Sequence, residues 1–227
     1  MQYSEIQKQR LEIMRTIAED ISNEDIVLKG GTGLLLCYEL DRFSEDMDFD
    51  GYGRFNLERT QRIISKAFEK QGTTVTQVIV KKDTPTTKRF MYHYEVTGSP
   101  QYSYPLKIEF SFRQHGEITQ DQLDIIDGIK TYRIEVLAKK KLQAFLDRTA
   151  PRDIYDVEFL SDTFPQVFSK EMIKDILKID MESLVTRFES DKIDDMLLAD
   201  VDGYELVCRL YENLLLRQKD FESGSTM

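Results

Sequence analysis

The sequence predicts an α+β protein that has a mixed β-sheet in its N-terminal part and a helical C-terminal part. Segments in which apolar and polar residues alternate, as is typical of strands, lie within residues 1–113. From Glu135 onward, apolar residues instead recur with the helical period of about 3.6 residues. This change of period predicts two domains, an α+β core over residues 1–130 and a helical domain over residues 131–227.

Composition and charge exclude several classes of protein. The chain has 227 residues, of which 41% are hydrophobic and 32% charged, so it can bury a large core and is neither disordered nor fibrous in composition. Its net charge of -10 argues against a protein that coats nucleic acid through bulk charge. Residues 79–152 nevertheless contain 13 basic and 9 acidic side chains, so we expect any polyanion to meet this stretch.

The apolar stretches bear on localisation. Charged residues occur throughout the N-terminal segment, unlike in a signal peptide, and no stretch approaches the roughly 20 apolar residues that span a bilayer. We therefore expect a cytoplasmic protein without a membrane partner. Cys37 and Cys208 lie in apolar helical segments, and we expect both to be buried structural thiols.

The first elements follow from local patterns. Apolar residues at near-helical spacing predict a helix over residues 3–21, and the run Ile26–Lys29 predicts a short strand. The segment after it is rich in straight-chain apolar residues, which favours a helix that begins at Thr32. The strict alternation of residues 46–50 then predicts a second strand.

The remaining elements of the N-terminal part are one helix and three strands. An amphipathic pattern predicts the helix over residues 56–71. The strands are expected over residues 73–81, 89–97 and 105–113. Pro85 and the cluster Gly98-Ser99-Pro100 mark the turns between them.

Acidic residues alternate along the second strand. Asp46 and Asp48 lie two residues apart, so both point to one face of the sheet while Met47 points to the other. Residues 106–112 alternate in the same way and place Glu109 on their polar face. If the two strands are neighbours, the three carboxylates form a site of the kind that binds Mg²⁺. The alternative is that alternating acids simply mark a solvated strand face.

A glycine pair precedes this strand. Gly30 and Gly31 allow a close approach of backbone to a ligand, and Thr32 begins a helix whose free N–H groups and dipole favour phosphate. By itself the same triplet is only a turn followed by a helix cap.

The combined pattern resembles a known superfamily. Thirteen residues separate Thr32 from Asp46, and this spacing of GGT and acid-x-acid resembles the polymerase β-like nucleotidyltransferases. More narrowly, LKGGTGLLL followed by RFSEDMDFD resembles the AbiEii/AbiGii toxin family of bacterial abortive-infection and toxin–antitoxin systems. KLQAFLDRTAPRDIYDVEFL resembles the second conserved block of that family, so the resemblance spans residues 26–160.

One lysine of the second block lies on the apolar face of its helix. On a helical wheel Lys141 falls on the same stripe as Leu137 and Phe145, whereas Lys139 and Lys140 point away. A lysine on an inward face extends its ammonium to water or meets an anion, and the resemblance implies that this anion is the phosphate of a nucleotide.

Asp153 lies in the first turn of the next helix, where a carboxylate complements the helix dipole. The resemblance implies that this residue also lies near the active site and orients basic residues or the acceptor. Arg148 can pair with Asp153 or with Asp156.

The resemblance implies a nucleotidyltransferase core and a helical domain that contributes to the active site. The enzyme would move a nucleotidyl group from an NTP (ATP, GTP or CTP) to an acceptor hydroxyl, with Mg²⁺ or Mn²⁺ held by Asp46, Asp48 and Glu109. Glu109 would also help to remove the hydroxyl proton. The residues expected to bind the triphosphate are Gly30, Gly31, Thr32, Arg42, Ser44 and Lys141. The implied setting is a toxin with a cognate antitoxin, and the 3′ end of tRNA is one acceptor.

Two rival functions stay open from the sequence. The first keeps the fold and replaces RNA by a small-molecule or protein acceptor, which the net charge of -10 favours. The second is a degenerate, nucleotide-binding regulatory module, against which the presence of all three carboxylates argues.

Overall fold

The protein is described here by a computed structural model that covers residues 3–96, 105–195 and 197–223. Residues up to Arg133 form one compact unit, and residues from Ile134 form a second. The predicted turn at Gly98-Ser99-Pro100 lies outside the described residues.

The first unit contains a mixed sheet with helices, as the sequence predicts. Its helices are α1 (Glu5–Asp20), α2 (Gly30–Cys37) and α3 (Leu57–Lys70). Its strands are β1 (Ile26–Lys29), β2 (Met47–Gly51), β3 (Thr73–Thr84), β4 (Thr87–Val96), β5 (Leu106–Ser111), β6 (Leu123–Ile126) and β7 (Ile129–Tyr132). Their order in the sheet is β3-β4-β5-β2-β1-β7-β6. The β1–β7 and β2–β5 pairs are parallel, and the other neighbouring pairs are antiparallel.

The two faces of this sheet differ in polarity because apolar and polar residues alternate along its central strands. On one face, α1 and α3 pack on buried side chains such as Met47, Phe49 and Ile108, which are at most 2% exposed. Met47 therefore points into the core, as predicted. The opposite face of β2 and β5 presents Asp48 and Glu109.

Local sequence determines where the helices begin. Ser4 accepts a hydrogen bond from the Gln7 N–H and Gln7 bonds back to Ser4, so a capping box starts α1. Helix α2 begins at Gly30, two residues before the predicted start at Thr32. Gly30 has φ = +73°, a conformation that glycine adopts readily, so the chain can turn directly from β1 into the helix.

The hairpin of β6 and β7 has no counterpart in the predicted strands. It turns at Asp127 and Gly128, both of which have positive φ, as a type I′ turn requires. Strand β7 then pairs with β1, with Leu28 opposite Thr131. The segment is short and its alternation is weak, so the Asp-Gly dipeptide is the signal that would have identified it.

The second unit is helical, as predicted. It comprises α4 (Ile134–Arg148), α5 (Pro151–Thr163), α6 (Lys170–Leu177), α7 (Met181–Asp191) and α8 (Gly203–Ser223). Helix α5 packs on α4 and α8, and its residues Ile154 and Leu160 are fully buried. The buried stripe of α4 comprises Leu137, Ala138, Lys141, Leu142 and Phe145, which confirms the predicted helical phase.

Candidate active site

Two neighbouring strands hold the three predicted carboxylates. Strands β2 and β5 pair in parallel with Asp48 opposite Glu109, as the sequence analysis required for a shared site. Asp46 precedes β2 directly and bonds through a carboxylate oxygen to Lys107 of β5. The three acids therefore lie on the same polar face of the sheet.

The environment of Asp48 disfavours its negative charge. Burial raises the pKa of this carboxyl, and the charges of Asp46 and Glu109 raise it further, while Lys107 and Lys29 act in the opposite direction. A carboxylate placed among other carboxylates is stabilised by a bound cation. The mutual repulsion of these groups thus favours a cation at this place.

Each of the other two carboxylates is paired with a basic side chain. Lys107 binds Asp46, and the Arg89 Nε donates to Glu109 Oε2 at 2.6 Å. Among the residues that the structure describes, no three carboxylate, imidazole or thiol groups converge closely enough to hold a metal ion. The carboxylate oxygens of Asp46, Asp48 and Glu109 are nevertheless of the right chemical type for a divalent cation, because Mg²⁺ prefers hard oxygen ligands. Such a cation would have to displace the Lys107 ammonium from Asp46.

A second acid of β2, Asp50, is a residue that the sequence analysis did not assign. It is 2% exposed and pairs with Lys29, while the Tyr132 hydroxyl donates to its Oδ2 at 2.9 Å. Burial raises the pKa of Tyr132, and the adjacent Asp50 charge adds to this effect. Asp50 therefore anchors Lys29, the residue before the glycine pair. Asp50 alternates with Asp48 along the strand, and this pattern could have identified it from the sequence.

The glycine pair lies directly against the acidic residues. A Cβ on Gly30 would lie 3.6 Å from Asp48 Oδ2, so the backbone passes beside that carboxylate. A Cβ on Gly31 would lie 2.9 Å from an Arg42 guanidinium nitrogen and 3.1 Å from Ser44 Oγ. Only glycine fits at Gly31 without a shift of these neighbours.

The start of α2 is open to an anion. Lys29 occupies its N-cap position and, within the described chain, makes no side-chain hydrogen bond to the helix. The first N–H groups of a helix carry a partial positive charge and have no partner within the helix. The uncapped end next to Asp48 is therefore suited to phosphate.

Three residues predicted to bind the triphosphate also make side-chain contacts around this turn. Thr32 is 1% exposed, and its hydroxyl bonds to Ser44 Oγ at 2.9 Å and to the Asp46 carbonyl. Arg42 is 2% exposed and donates from Nη1 to the Phe43 carbonyl at 3.0 Å. In this structure, Thr32, Ser44 and Arg42 therefore fix the position of the glycine pair through their side chains.

The second unit contains the predicted lysine and aspartate. Lys141 is 9% exposed and forms an ion pair with Asp156, which is fully buried. Arg148 makes a bidentate pair with Asp153, with distances of 2.5 Å to Oδ2 and 2.9 Å to Oδ1. Arg148 thus binds Asp153, one of the two partners that the sequence left open for it. The Arg148 side chain is itself 66% exposed and lies outside the buried stripe of α4.

The mixed sheet, with its uncapped helix start beside alternating carboxylates, has the features that the sequence analysis expected of a nucleotidyltransferase. The sequence model described as "Nucleotidyl transferase AbiEii toxin, Type IV TA system" matches residues 12–209, which is most of the chain. The chain therefore belongs to the AbiEii family of nucleotidyltransferase toxins of type IV toxin–antitoxin systems. This confirms the resemblance seen in the sequence. Among curated protein sequences, none matches this chain.

Solved structures support the same assignment of fold. JHP933 from Helicobacter pylori is 29% identical with a TM-score of 0.88, and the match covers 99% of this chain and 97% of that one. A second H. pylori protein, titled as a candidate nucleotidyltransferase, is 29% identical with a TM-score of 0.87, over 97% and 98% of the two chains. MenT4, the nucleotidyltransferase toxin Rv2826c of Mycobacterium tuberculosis H37Rv, is 16% identical with a TM-score of 0.50, over 93% and 82%.

The helices also bear on membrane insertion. Within the described residues, none combines the length and the apolar character that crossing a bilayer requires.

Proposed function

We propose that this protein transfers a nucleotidyl group from an NTP to an acceptor hydroxyl with a divalent metal ion, and that it does so as the toxin of a toxin–antitoxin pair. The observation that supports this most directly is the register of β2 and β5, which brings Asp48 opposite Glu109 beside the uncapped start of α2. Phosphate-binding backbone and metal-binding carboxylates are the two parts that the reaction needs.

The reaction assigns a separate task to each part of the polar face. The acceptor oxygen bonds to the α-phosphorus, the bond to the β-phosphate oxygen breaks, pyrophosphate leaves and the hydroxyl proton passes to Glu109. The N–H groups of Gly30, Gly31 and Thr32 hold the phosphates of the leaving group. Arg42 and Ser44 would contact the triphosphate and also keep this turn in place.

Asp46, Asp48 and Glu109 are the residues that would hold Mg²⁺, with Mn²⁺ as a substitute. A pair of divalent ions bound there supplies charge that stabilises the attacking and leaving oxygens of an in-line displacement. The raised pKa of Asp48 comes first from burial and then from the charges of Asp46 and Glu109, and a bound divalent ion would offset both effects.

Lys141 and Asp153 of the second unit are proposed to serve the same reaction, Lys141 at the triphosphate and Asp153 in orienting a basic residue. The support is the resemblance of their block to the family and the pairing of each with an opposite charge. Arg148 is the basic residue that Asp153 holds in the structure.

The test is transfer of labelled ATP, GTP or CTP, with Mg²⁺, to total RNA, to protein or to small hydroxyl compounds. We expect the wild-type protein to label one acceptor class and Asp46→Ala and Asp48→Ala to lose the transfer while staying folded. Near-wild-type transfer by either variant with saturating NTP would contradict the assignment of the metal ligands. The 3′ end of tRNA is the first acceptor to test.

A further inference from the structure

A row of charged side chains crosses the polar face of the sheet from one strand to the next. Paired positions place Lys82 of β3 opposite Arg89 of β4, Arg89 opposite Glu109, Glu109 opposite Asp48, and Asp48 opposite Lys29 of β1. Directly opposite residues point to the same face of a sheet. The row therefore has two cations on the β3–β4 side, two carboxylates in the middle and one cation on the β1 side.

Of these cations, Lys82 differs from the others in its contacts. Lys29 pairs with Asp50 and Arg89 pairs with Glu109. In the part of the chain that the structure describes, Lys82 makes no ion pair or side-chain hydrogen bond, and it is half-buried. Like charges directly opposite each other destabilise a sheet. The Lys82–Arg89 pair is thus unfavourable in the free protein, and an anion bound between the two would remove that cost.

The position of Lys82 in the row depends on a break in the strand pairing. The register of β3 and β4 shifts between Val80 and Lys82, so that one extra residue, Lys81, is inserted. In an unbroken register Lys81 would lie opposite Arg89. Bulges of this kind redirect side chains next to active sites. Here the bulge brings Lys82 onto the polar face beside Arg89.

The direction of the proposed reaction indicates from which side of the sheet the acceptor approaches. Nucleophile and leaving group lie on opposite sides of the phosphorus in an in-line displacement. The start of α2, which follows β1, binds the leaving phosphates, so the acceptor must approach from the other end of the row, over β5 and β4. Neighbouring strands lie about 4.8 Å apart, so the Lys82 backbone is roughly 10 Å beyond that of Glu109.

We propose that Lys82 and Arg89 form an acceptor subsite that binds a backbone phosphodiester of an RNA close to its attacking terminal hydroxyl. This inference rests on the proposed function and names its acceptor class. An RNA 3′ end carries a phosphodiester one nucleotide before the hydroxyl, whereas a protein side chain or an uncharged small molecule has no anion there. Arg89 is 41% exposed, so its guanidinium is accessible while it holds Glu109.

The first test is binding of a fluorescein-labelled 10-nucleotide single-stranded RNA to the full-length protein without NTP. We expect Lys82→Ala to weaken binding about tenfold and to lower the salt dependence of log K by about 0.7. Lys66→Ala is the matched control, because Lys66 is exposed on α3, which packs on the opposite face of the sheet. Equal binding by the Lys82→Ala and wild-type proteins would overturn the subsite, whether or not any transfer is observed.

The second test uses the transfer reaction and an RNA whose last phosphodiester is replaced by an uncharged methylphosphonate. With ordinary RNA, Lys82→Ala should raise KM for RNA about tenfold and leave KM for NTP unchanged. With the uncharged linkage, wild type and Lys82→Ala should have the same KM. Transfer to a protein or small hydroxyl compound and not to RNA would overturn the inference and leave the nucleotidyltransferase proposal standing. If no acceptor is labelled, the nucleotidyltransferase proposal is overturned. The RNA-binding experiment with Lys82→Ala would still test the subsite independently.

Discussion

At the scale of single residues, the raised pKa of Asp48 gives a prediction about stability. A carboxyl whose pKa is higher in the folded than in the unfolded protein lowers the free energy of unfolding when it is ionised. We therefore expect Asp48→Asn to raise Tm at neutral pH in metal-free buffer. The gain should shrink as the pH falls through the raised pKa of the folded state and vanish below the unfolded value of about 3.9, where Asp48 is protonated in both states.

Thermal unfolding at several pH values, together with the transfer assay, checks this prediction. Asp83→Asn is the control, since Asp83 is exposed on β3 and should change stability by less than about 0.5 kcal/mol. Asp48→Asn should lose transfer while it gains stability. If Asp48→Asn is less stable than wild type at neutral pH and this deficit shrinks at acidic pH, burial does not disfavour the Asp48 charge.

The Lys141–Asp156 pair gives a second prediction at this scale. Lys141→Met removes the ammonium beside a fully buried carboxylate and should cost about 3 kcal/mol of stability. The double variant Lys141→Met/Asp156→Asn should regain most of it, because it no longer contains that buried charge. If Lys141 contacts the triphosphate, neither variant regains transfer.

Urea unfolding and NTP binding separate these two effects. Lys139 is exposed on the same helix, so Lys139→Met should change neither the free energy of unfolding nor the affinity for NTP. If the double variant recovers full transfer, Lys141 stabilises the second unit and does not contact the triphosphate.

At the scale of elements, the β6–β7 hairpin depends on one glycine. Gly128 has φ = +82°, and Gly128→Ala should therefore destabilise the first unit by about 1–2 kcal/mol. Asp127→Asn is the control, because asparagine tolerates the positive φ of that position. Urea unfolding measures both variants, and a neutral effect of Gly128→Ala would show that the turn can change its type without cost.

The elements also show how far the sequence alone leads. The run Ile26–Lys29 predicted β1, and alternation predicted β2 within one residue at each end. Strands β6 and β7 are as short as β1, but they were missed because they show neither a continuous apolar run at their start nor a clear alternation. Among site residues, the alternation predicted Asp46, Asp48 and Glu109. The pairing of Arg89 with Glu109 and of Lys29 with Asp50 could not be predicted, since it depends on strand order and register.

At the scale of the whole molecule, the proposed activity predicts a phenotype. Expression in a bacterium should arrest growth, and the Asp48→Ala variant should not, although it accumulates to the same level. Growth curves together with immunoblots of both proteins check this. Equal arrest by both would separate toxicity from nucleotidyl transfer.

The place of β7 in the sheet has a consequence for synthesis on the ribosome. Strand β1 is made early and lies between β2 and β7, yet β7 is translated about a hundred residues later, since Leu28 pairs with Thr131. Until Tyr132 emerges, the growing chain has an open β1 edge and an Asp50 without its tyrosine hydroxyl donor. An mRNA truncated before the Tyr132 codon yields a polypeptide that contains Gly30, Gly31, Thr32 and the three carboxylates. This polypeptide cannot complete the β-sheet that carries them. If the proposed function holds, we expect such a truncated chain to show no nucleotidyl transfer.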